Sequence, residues 1–298
     1  MRFAAHSPPA TSKLWCRPIR SDTIGRTDRQ IGGDDVAYAD IGEVRLFFTD
    51  EGEGDPPILM VHGFSCDGHD WMWQIPHFAE HHRVIVVDLR GHGRSSVPAD
   101  GYEPKQFAAD IAGLLEQLEV GPVVAMGHSL GGAIVSALAV ERPELVSAVV
   151  SVDPGYLLPD EVRPIVEGMA EALATTDPVA GAQQFLSATY SPATPAALKS
   201  FHMRRIAGVP GPVLVATLGG LFVGDDSLGY RNTSVPYLRR RGCPVLVFYT
   251  DPDRAAFEAT LFEDPRSRSI AWAGSGHWLH QERPAEFNTL VDTWLASL

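Results

Sequence analysis

Three things are scarce in this chain of 298 residues: cysteine, positive charge and long unbroken apolar runs. The three cysteines, at positions 16, 66 and 243, are too few and too scattered for a disulfide framework or a zinc site. A reducing, cytoplasmic location is therefore expected. The net charge of −13 argues against nucleic acid or an anionic membrane surface as a partner. The uncharged stretch 206–224 is broken by five glycines and two prolines, so it is not expected to span a membrane.

Two kinds of ligand motif are also missing from the sequence. It has neither a histidine and carboxylate spacing typical of a metal site nor a phosphate-binding loop, so we expect no metal and no cofactor. Hydrophobic residues make up 45% of the chain, which is enough for a sizeable core. The composition therefore predicts a globular protein; the expected partner is a small molecule, and monomer and homodimer are both left open.

Short apolar runs alternate with helical patterns over residues 36–152, which predicts a mostly parallel sheet buried on both faces. About 80 residues with helical patterns and repeated prolines follow, and strand patterns resume at Val245. An all-helical insertion at this point is expected to cap the carboxyl ends of the strands, where open α/β sheets bind ligands. The predicted units are a flexible extension (1–34), a core (35–153 and 236–298) and a helical cap (154–235).

The motif around which the core is organised is Gly127-His128-Ser129-Leu130-Gly131. An apolar run precedes it and a helical pattern follows it, which is the strand–turn–helix context of a nucleophile elbow. The turn is tight enough to strain the serine, and glycines are needed where a Cβ would collide. The serine hydroxyl would then stand above the sheet, with the amino end of the next helix aimed at the same point.

A serine hydroxyl needs a base and a third group that holds the base, and in this architecture both follow later strands. The chain supplies Thr250-Asp251-Pro252-Asp253 after one strand and Gly276-His277 near its end. With the elbow, His62-Gly63-Phe64 and Asp88–Ser95, these motifs make residues 36–298 resemble the α/β-hydrolase superfamily. The similarity is greatest to cap-bearing esterases, C–C bond hydrolases and cofactor-free perhydrolases. It implies an eight-stranded, mostly parallel sheet with a helical cap inserted before the last two strands.

The resemblance implies Ser129 as nucleophile and His277 as base. For the acid, the family often has Gly-X-X-Asp after the strand that ends at Tyr249, which places Asp253 in the acid position. Asp251 is a close competitor, and Asp153, after the preceding strand, occupies the site used by some relatives. The backbone NH groups of Phe64 and Leu130 are expected to form the oxyanion hole.

The remaining candidates are aromatic residues and histidines near these motifs. Trp71, Tyr156, Phe222 and Trp278 are the candidates for lining an apolar substrate pocket, with core packing as the alternative for each. His62 and His128 are expected to hold loops, and His280 to be structural.

The leading functional hypothesis is a serine hydrolase that cleaves a carboxylic ester or lactone of a small to medium, apolar substrate through an acyl-enzyme. The alternatives are a C–C bond hydrolase acting on a β-diketone or ring-cleavage product, and a weakly catalytic ligand-binding protein on the same fold. Relatives that open epoxides or remove halide carry Asp at the elbow. Because this chain carries Ser129, those reactions are disfavoured.

Overall fold

A computed structural model describes residues 37–298, and these residues form one eight-stranded sheet and eleven α-helices. The predicted extension 1–34 lies outside the described residues. The strands are β1 (Ala37–Ile41), β2 (Val44–Glu51), β3 (Ile58–Val61), β4 (Val84–Val87), β5 (Val123–His128), β6 (Val146–Val152), β7 (Val245–Tyr249) and β8 (Arg268–Ala271). Their spatial order is β1-β2-β4-β3-β5-β6-β7-β8. The pairs β1–β2 and β2–β4 are antiparallel, and all the others are parallel.

The helices fall into three groups along the chain. Those before the insertion are α1 (Ile75–Phe78), α2 (Pro104–Gln117) and α3 (Leu130–Glu141). The insertion between β6 and β7 contains α4 (Arg163–Thr175), α5 (Pro178–Ser187), α6 (Ala196–Ile206), α7 (Gly211–Phe222) and α8 (Arg231–Leu238). The last group is α9 (Pro252–Ala259), α10 (Leu279–Glu282) and α11 (Pro284–Leu295).

The sheet is buried on both faces, as continuous apolar strands require. In β3, Ile58 and Met60 belong to one hydrophobic cluster, whereas Leu59 and Val61 belong to the other. The first cluster includes side chains of α11, and the second includes those of α2 and α3. The predicted eight-stranded, mostly parallel sheet with a helical insertion before its last two strands is confirmed.

The five helices α4–α8, called the cap below, connect β6 to β7. Four of them lie close to the helical patterns predicted from the sequence at 160–175, 178–188, 194–207 and 213–222. Helix α8, with Pro236 inside it, was not predicted. The core helix α9 was also not predicted, and its start contains Asp251 and Asp253, two of the candidates for the acid. Within the described residues no single helix is long and apolar enough to cross a membrane, and one bent pair, α6 with α7, passes the same test of length and composition.

The strand register decides which loops meet at the carboxyl edge of the sheet. His128 at the end of β5 pairs with Val152 at the end of β6, and Val152 pairs with Phe248 in β7. The residues that follow β5 and β6, Ser129 and Asp153, are therefore neighbours across one strand spacing.

Candidate active site

The turn from β5 into α3 has the geometry of a nucleophile elbow. Ser129 has φ 53° and ψ −113°, a backbone conformation that L residues rarely adopt. A Cβ on Gly127 would lie 2.1 Å from the Gly131 carbonyl oxygen, and one on Gly131 would lie 2.2 Å from that of Val61. The two glycines flanking the elbow are thus required by close backbone approach, and strain is concentrated at the serine.

His277 is hydrogen-bonded to a carboxylate that follows β6. Its Nδ1 lies 2.6 Å from Asp153 Oδ2, and both residues line the same cavity as Ser129. Asp153 also accepts hydrogen bonds from the Thr250 backbone NH and hydroxyl, and Arg254 Nη1 lies 3.7 Å from its Oδ1. Burial raises the pKa of Asp153, but hydrogen bonding from His277 and the charges of His277 and Arg254 outweigh it and bring that pKa to about 2. The carboxylate therefore stays ionised at neutral pH.

This geometry corrects the predicted position of the acid. Asp253 lies exposed in the first turn of α9, and Asp251 is the exposed N-cap whose side chain accepts the Asp253 backbone NH at 2.9 Å. Because Pro252 occupies the first turn after this cap, the segment after β7 is a helix start. The carboxylate that reaches His277 is Asp153, which has φ 40° in the turn directly after β6.

The loop that carries His277 is held from two sides. Its backbone NH donates to the Thr189 carbonyl of the cap at 3.0 Å. Its carbonyl oxygen lies 3.1 Å from His128 Nε2, and the Gly276 NH donates to Glu282 at 2.9 Å. The position of His277 is therefore fixed by the cap, by the elbow and by Glu282 at the end of α10.

Both residues predicted for the oxyanion hole line the cavity next to Ser129. Leu130 is the first residue of α3, so its NH has no acceptor within the helix. Phe64 lies in a loop packed so closely on the elbow that a Cβ on Gly63 would lie 2.8 Å from His128 Nδ1. Both residues therefore lie beside Ser129 at the cavity, and their role in an oxyanion hole stays a prediction.

The cavity has a volume of about 420 Å³, and its opposite wall comes from the cap. Helix α7 contributes Leu218, Leu221 and Phe222, and Phe222 is the one predicted pocket aromatic in this lining. The other cap residues that line it are Leu158, Val166, Phe185, Leu186, Ala188, Thr189 and Thr217. This wall is largely apolar, whereas the charged lining groups all lie on the sheet side.

Three of the four predicted pocket aromatics lie outside this lining and are fully buried. Trp71 packs against His280 and Phe287, in the hydrophobic cluster that includes side chains of α11. The hydroxyl of Tyr156 donates to the buried Glu258 carboxylate.

The third, Trp278, stacks on His202 of the cap, with ring centroids 4.0 Å apart. For Trp71, Tyr156 and Trp278 the core-packing alternative is therefore the correct one. Each ring is enclosed by side chains of the protein interior.

One cluster of histidine and carboxylate side chains has spacing compatible with a cation. Asp70, His128 and His280 place potential ligand atoms within 4.8 Å of one another. The Asp70 carboxylate, however, already accepts four hydrogen bonds: Gly63 NH and His128 Nδ1 on Oδ2, Arg205 Nη2 and Gln281 Nε2 on Oδ1. A carboxylate offers about four acceptor sites, so none is left for a metal ion.

Sequence reasoning missed Arg254, Thr250 and Asp70 as residues that support the site. Among the cavity-lining residues, which all lie within the described range 37–298, Arg254 is the one arginine or lysine. Its position one helical turn after a strand carries no motif that would have marked it. Asp70 lies between His62-Gly63-Phe64 and Trp71, in a segment where the sequence alone predicts an exposed loop carboxylate.

Comparison with known proteins agrees with this architecture. The model of the alpha/beta hydrolase fold family matches residues 56–284. The 2-(acetamidomethylene)succinate hydrolase of Mesorhizobium japonicum is 28% identical over 253 residues, covering 82% of this chain and 89% of that protein.

Two solved structures share the fold over almost their whole length. A bromoperoxidase from Bacillus anthracis has a TM-score of 0.75 at 23% identity and covers 88% of this chain and 99% of its own. An N-acyl homoserine lactone degrading enzyme has a TM-score of 0.71 at 25% identity and covers 86% and 99%. Since the family model spans well over half of the sequence, the chain belongs to the alpha/beta hydrolase fold family.

Proposed function

We propose that the protein is a serine hydrolase that cleaves esters or lactones of small to medium, apolar acids through an acyl-enzyme on Ser129. The observation that carries the proposal is the Asp153–His277 hydrogen bond of 2.6 Å, in a cavity shared with a strained, elbow-borne serine. Relatives named as hydrolases and as a lactone-degrading enzyme support the same chemistry.

In the proposed mechanism, His277 Nε2 takes the proton of the Ser129 hydroxyl as Oγ attacks the carbonyl carbon. Asp153, on the other ring nitrogen, fixes the tautomer and stabilises the imidazolium that forms. The negative charge on the carbonyl oxygen is received by the NH groups of Phe64 and Leu130. His277 then gives its proton to the leaving alkoxide, and a water molecule activated by His277 hydrolyses the acyl-serine. Apart from the substrate and this water molecule, every group that the mechanism uses belongs to the chain.

The lining of the cavity favours an apolar acyl group over the dicarboxylate named for the Mesorhizobium relative. The one lysine or arginine in the lining, Arg254, already donates from Nη2 to the carbonyls of Pro154 and Tyr156, at 2.5 and 2.7 Å. Its Nη1 also lies 3.7 Å from Asp153 Oδ1, so its charge is already paired within the protein. Leucine and phenylalanine side chains of the cap instead offer apolar contact.

The proposal is tested by rapid-quench kinetics on a panel of 4-nitrophenyl esters, lactones and a vinylogous β-diketone, followed by intact-mass and peptide analysis. We expect steady turnover of esters or lactones, with the acyl adduct on the peptide that contains Ser129. Cleavage of the diketone alone would favour a C–C bond hydrolase. An adduct on another residue, or stoichiometric binding without turnover, would contradict the proposal.

A further inference from the structure

Behind the cavity, a second carboxylate joins the loops that carry the catalytic groups. Asp70 is fully buried, and its Oδ2 accepts the Gly63 NH at 3.2 Å and His128 Nδ1 at 2.7 Å. Its Oδ1 accepts Arg205 Nη2 at 3.1 Å and Gln281 Nε2 at 2.8 Å. All the acceptor sites of one side chain are thus used by donors from four separate segments.

Three of those segments carry a group that the proposed mechanism uses. Gly63 directly precedes Phe64 of the oxyanion loop, and His128 directly precedes Ser129. Gln281 follows His277 by four residues. His128 also spans the gap between two of them, because its Nε2 lies 3.1 Å from the His277 carbonyl oxygen.

The fourth donor comes from the cap. Arg205 is in the last turn of α6, and its side chain is only 7% exposed. It also lies 3.1 Å from Cys66 Sγ and 3.6 Å from Asp67 Oδ1, in the loop that follows the oxyanion residues. An arginine buried this deeply is retained only where its charge is paired, and Asp70 is its fully buried partner.

The charge of Asp70 is stabilised by the same contacts. Burial raises the pKa of this carboxyl, but the charges and hydrogen bonds of His128 and Arg205 outweigh it and hold the pKa well below its ordinary value. At neutral pH Asp70 is therefore an anion that accepts four hydrogen bonds. Loss of that charge would leave buried donors without an acceptor.

From this arrangement we propose that Asp70 is a positioning residue, which sets the relative placement of the oxyanion loop, the nucleophile and the histidine loop. Arg205 fastens the cap to this carboxylate, so that docking of α6 and alignment of the catalytic groups depend on one another. The inference rests on the proposed function, since it takes Phe64, Ser129 and His277 to be the reacting groups.

The chain contains a matched pair that serves as a structural control. Arg90 and Asp110 form a buried pair with side chains 3% and 5% exposed and two hydrogen bonds of 2.6 Å. The other donor to the Asp110 carboxylate is Gln106, and neither Arg90 nor Gln106 lines the cavity. Removing this charge should cost stability without moving the catalytic loops.

The test compares Asp70→Asn with Asp110→Asn in the full-length protein. An asparagine at position 70 keeps the shape of the side chain, but whichever way its amide turns, its NH₂ group faces two of the four donors. We expect kcat to fall by about 10²-fold with KM little changed, because a misplacement of about 1 Å is sufficient for such a loss. Asp110→Asn should lower the melting temperature and keep the wild-type kcat.

Two further variants keep the proposal testable if Asp70→Asn does not fold. Gln281→Leu removes one donor of the network, and Arg205→Met removes the cap's contribution while keeping most of the side-chain volume. Each should lower kcat by about tenfold at a temperature where the protein is folded by circular dichroism. Wild-type kcat in folded Asp70→Asn, Gln281→Leu and Arg205→Met would overturn the proposal, as would equal losses in Asp110→Asn.

A probe that does not depend on the substrate separates this proposal from the proposed function. The rate of Ser129 labelling by a small fluorophosphonate should fall in Asp70→Asn and stay unchanged in Asp110→Asn. If wild type labels Ser129 but hydrolyses no ester or lactone, the substrate assignment fails and the positioning role still stands on the labelling rates. If labelling rates of wild type and Asp70→Asn are equal, the positioning role fails alone.

Discussion

The two walls of the cavity are built by different means. The sheet side places Ser129, Asp153 and His277 with strained backbone and dense hydrogen bonding, and Asp70 supports them from behind. The cap side presents leucine and phenylalanine side chains of α5 and α7. If the proposed function holds, we expect the core to determine which bond is broken and the cap to determine the shape of the acyl group that fits.

The largest effect should come from removing the nucleophile. Ser129→Ala is expected to lower kcat on the order of 10⁴-fold, because the serine, histidine and acid act as a unit. Steady-state hydrolysis of the best ester or lactone measures it. The control is Ser151→Ala, which removes a buried hydroxyl on β6 outside the cavity lining and should keep the activity. Comparable rates in Ser129→Ala and wild type would contradict the role of the elbow.

A change on the cap wall should alter selectivity and leave the chemistry intact. Leu218→Trp narrows the cavity, so we expect the ratio of kcat/KM between a short and a bulky acyl ester to shift by about tenfold. Labelling of Ser129 by a small fluorophosphonate should remain normal.

The matched control for that change is Met169→Trp, at an exposed cap position outside the cavity lining. It should leave the ratio unchanged. An equal slowing of short and bulky substrates in Leu218→Trp would show that the cap acts as a structural lid and does not set specificity.

The Asp153–His277 pair, on the sheet side of the cavity, should also affect the stability of the protein at low pH. The pKa of Asp153 in the folded protein is about 2, below its ordinary value of 3.8, so its ionised form stabilises the fold above pH 4. That contribution, about 2 kcal/mol, is lost as the pH falls from 4 through 2.

Urea unfolding of wild type and Asp153→Asn at pH 6 and near pH 2.5 measures this effect. The difference in free energy of unfolding between the two proteins should shrink at the lower pH. A difference that grows on acidification would show that the carboxylate is not held in its charged form.

The smallest expected effect is a stabilising one on the cap side. A Cβ added to Gly219, inside α7, meets nothing within 4 Å. Gly219→Ala should therefore raise the free energy of unfolding by about 0.5–1 kcal/mol, since glycine is a poor helix former. Chemical denaturation measures it, and a destabilised Gly219→Ala would mean that α7 needs the flexibility of this glycine.

Most of the fold could be predicted because buried parallel strands and amphipathic helices leave different periods in the sequence. The apolar run Ile58–Val61 predicts the limits of β3, and Pro104 predicts the start of α2. The elbow at Ser129 was predictable for a different reason: close backbone packing there demands glycine at fixed spacing.

The acid and the pocket aromatics depended on information that no local pattern carries. Asp-Pro-Asp after β7 fits a helix cap as well as it fits a catalytic loop, and only the tertiary placement of Asp153 against His277 separates the two. Likewise, no sequence pattern around Trp278 distinguishes packing on His202 from contact with a substrate. Asp70 draws its donors from segments far apart in the chain, so its role appears only once the chain is folded.

The central claim, that Asp153 is the acid paired with His277, is tested most directly by measuring kcat of Asp153→Asn beside Asp253→Asn. We predict a loss on the order of 10³- to 10⁴-fold in Asp153→Asn, because an asparagine no longer fixes the tautomer or stabilises the imidazolium. Asp253→Asn, at an exposed position in the first turn of α9, should keep the wild-type kcat. Collapse of activity in Asp253→Asn, with Asp153→Asn near wild type, would contradict the account.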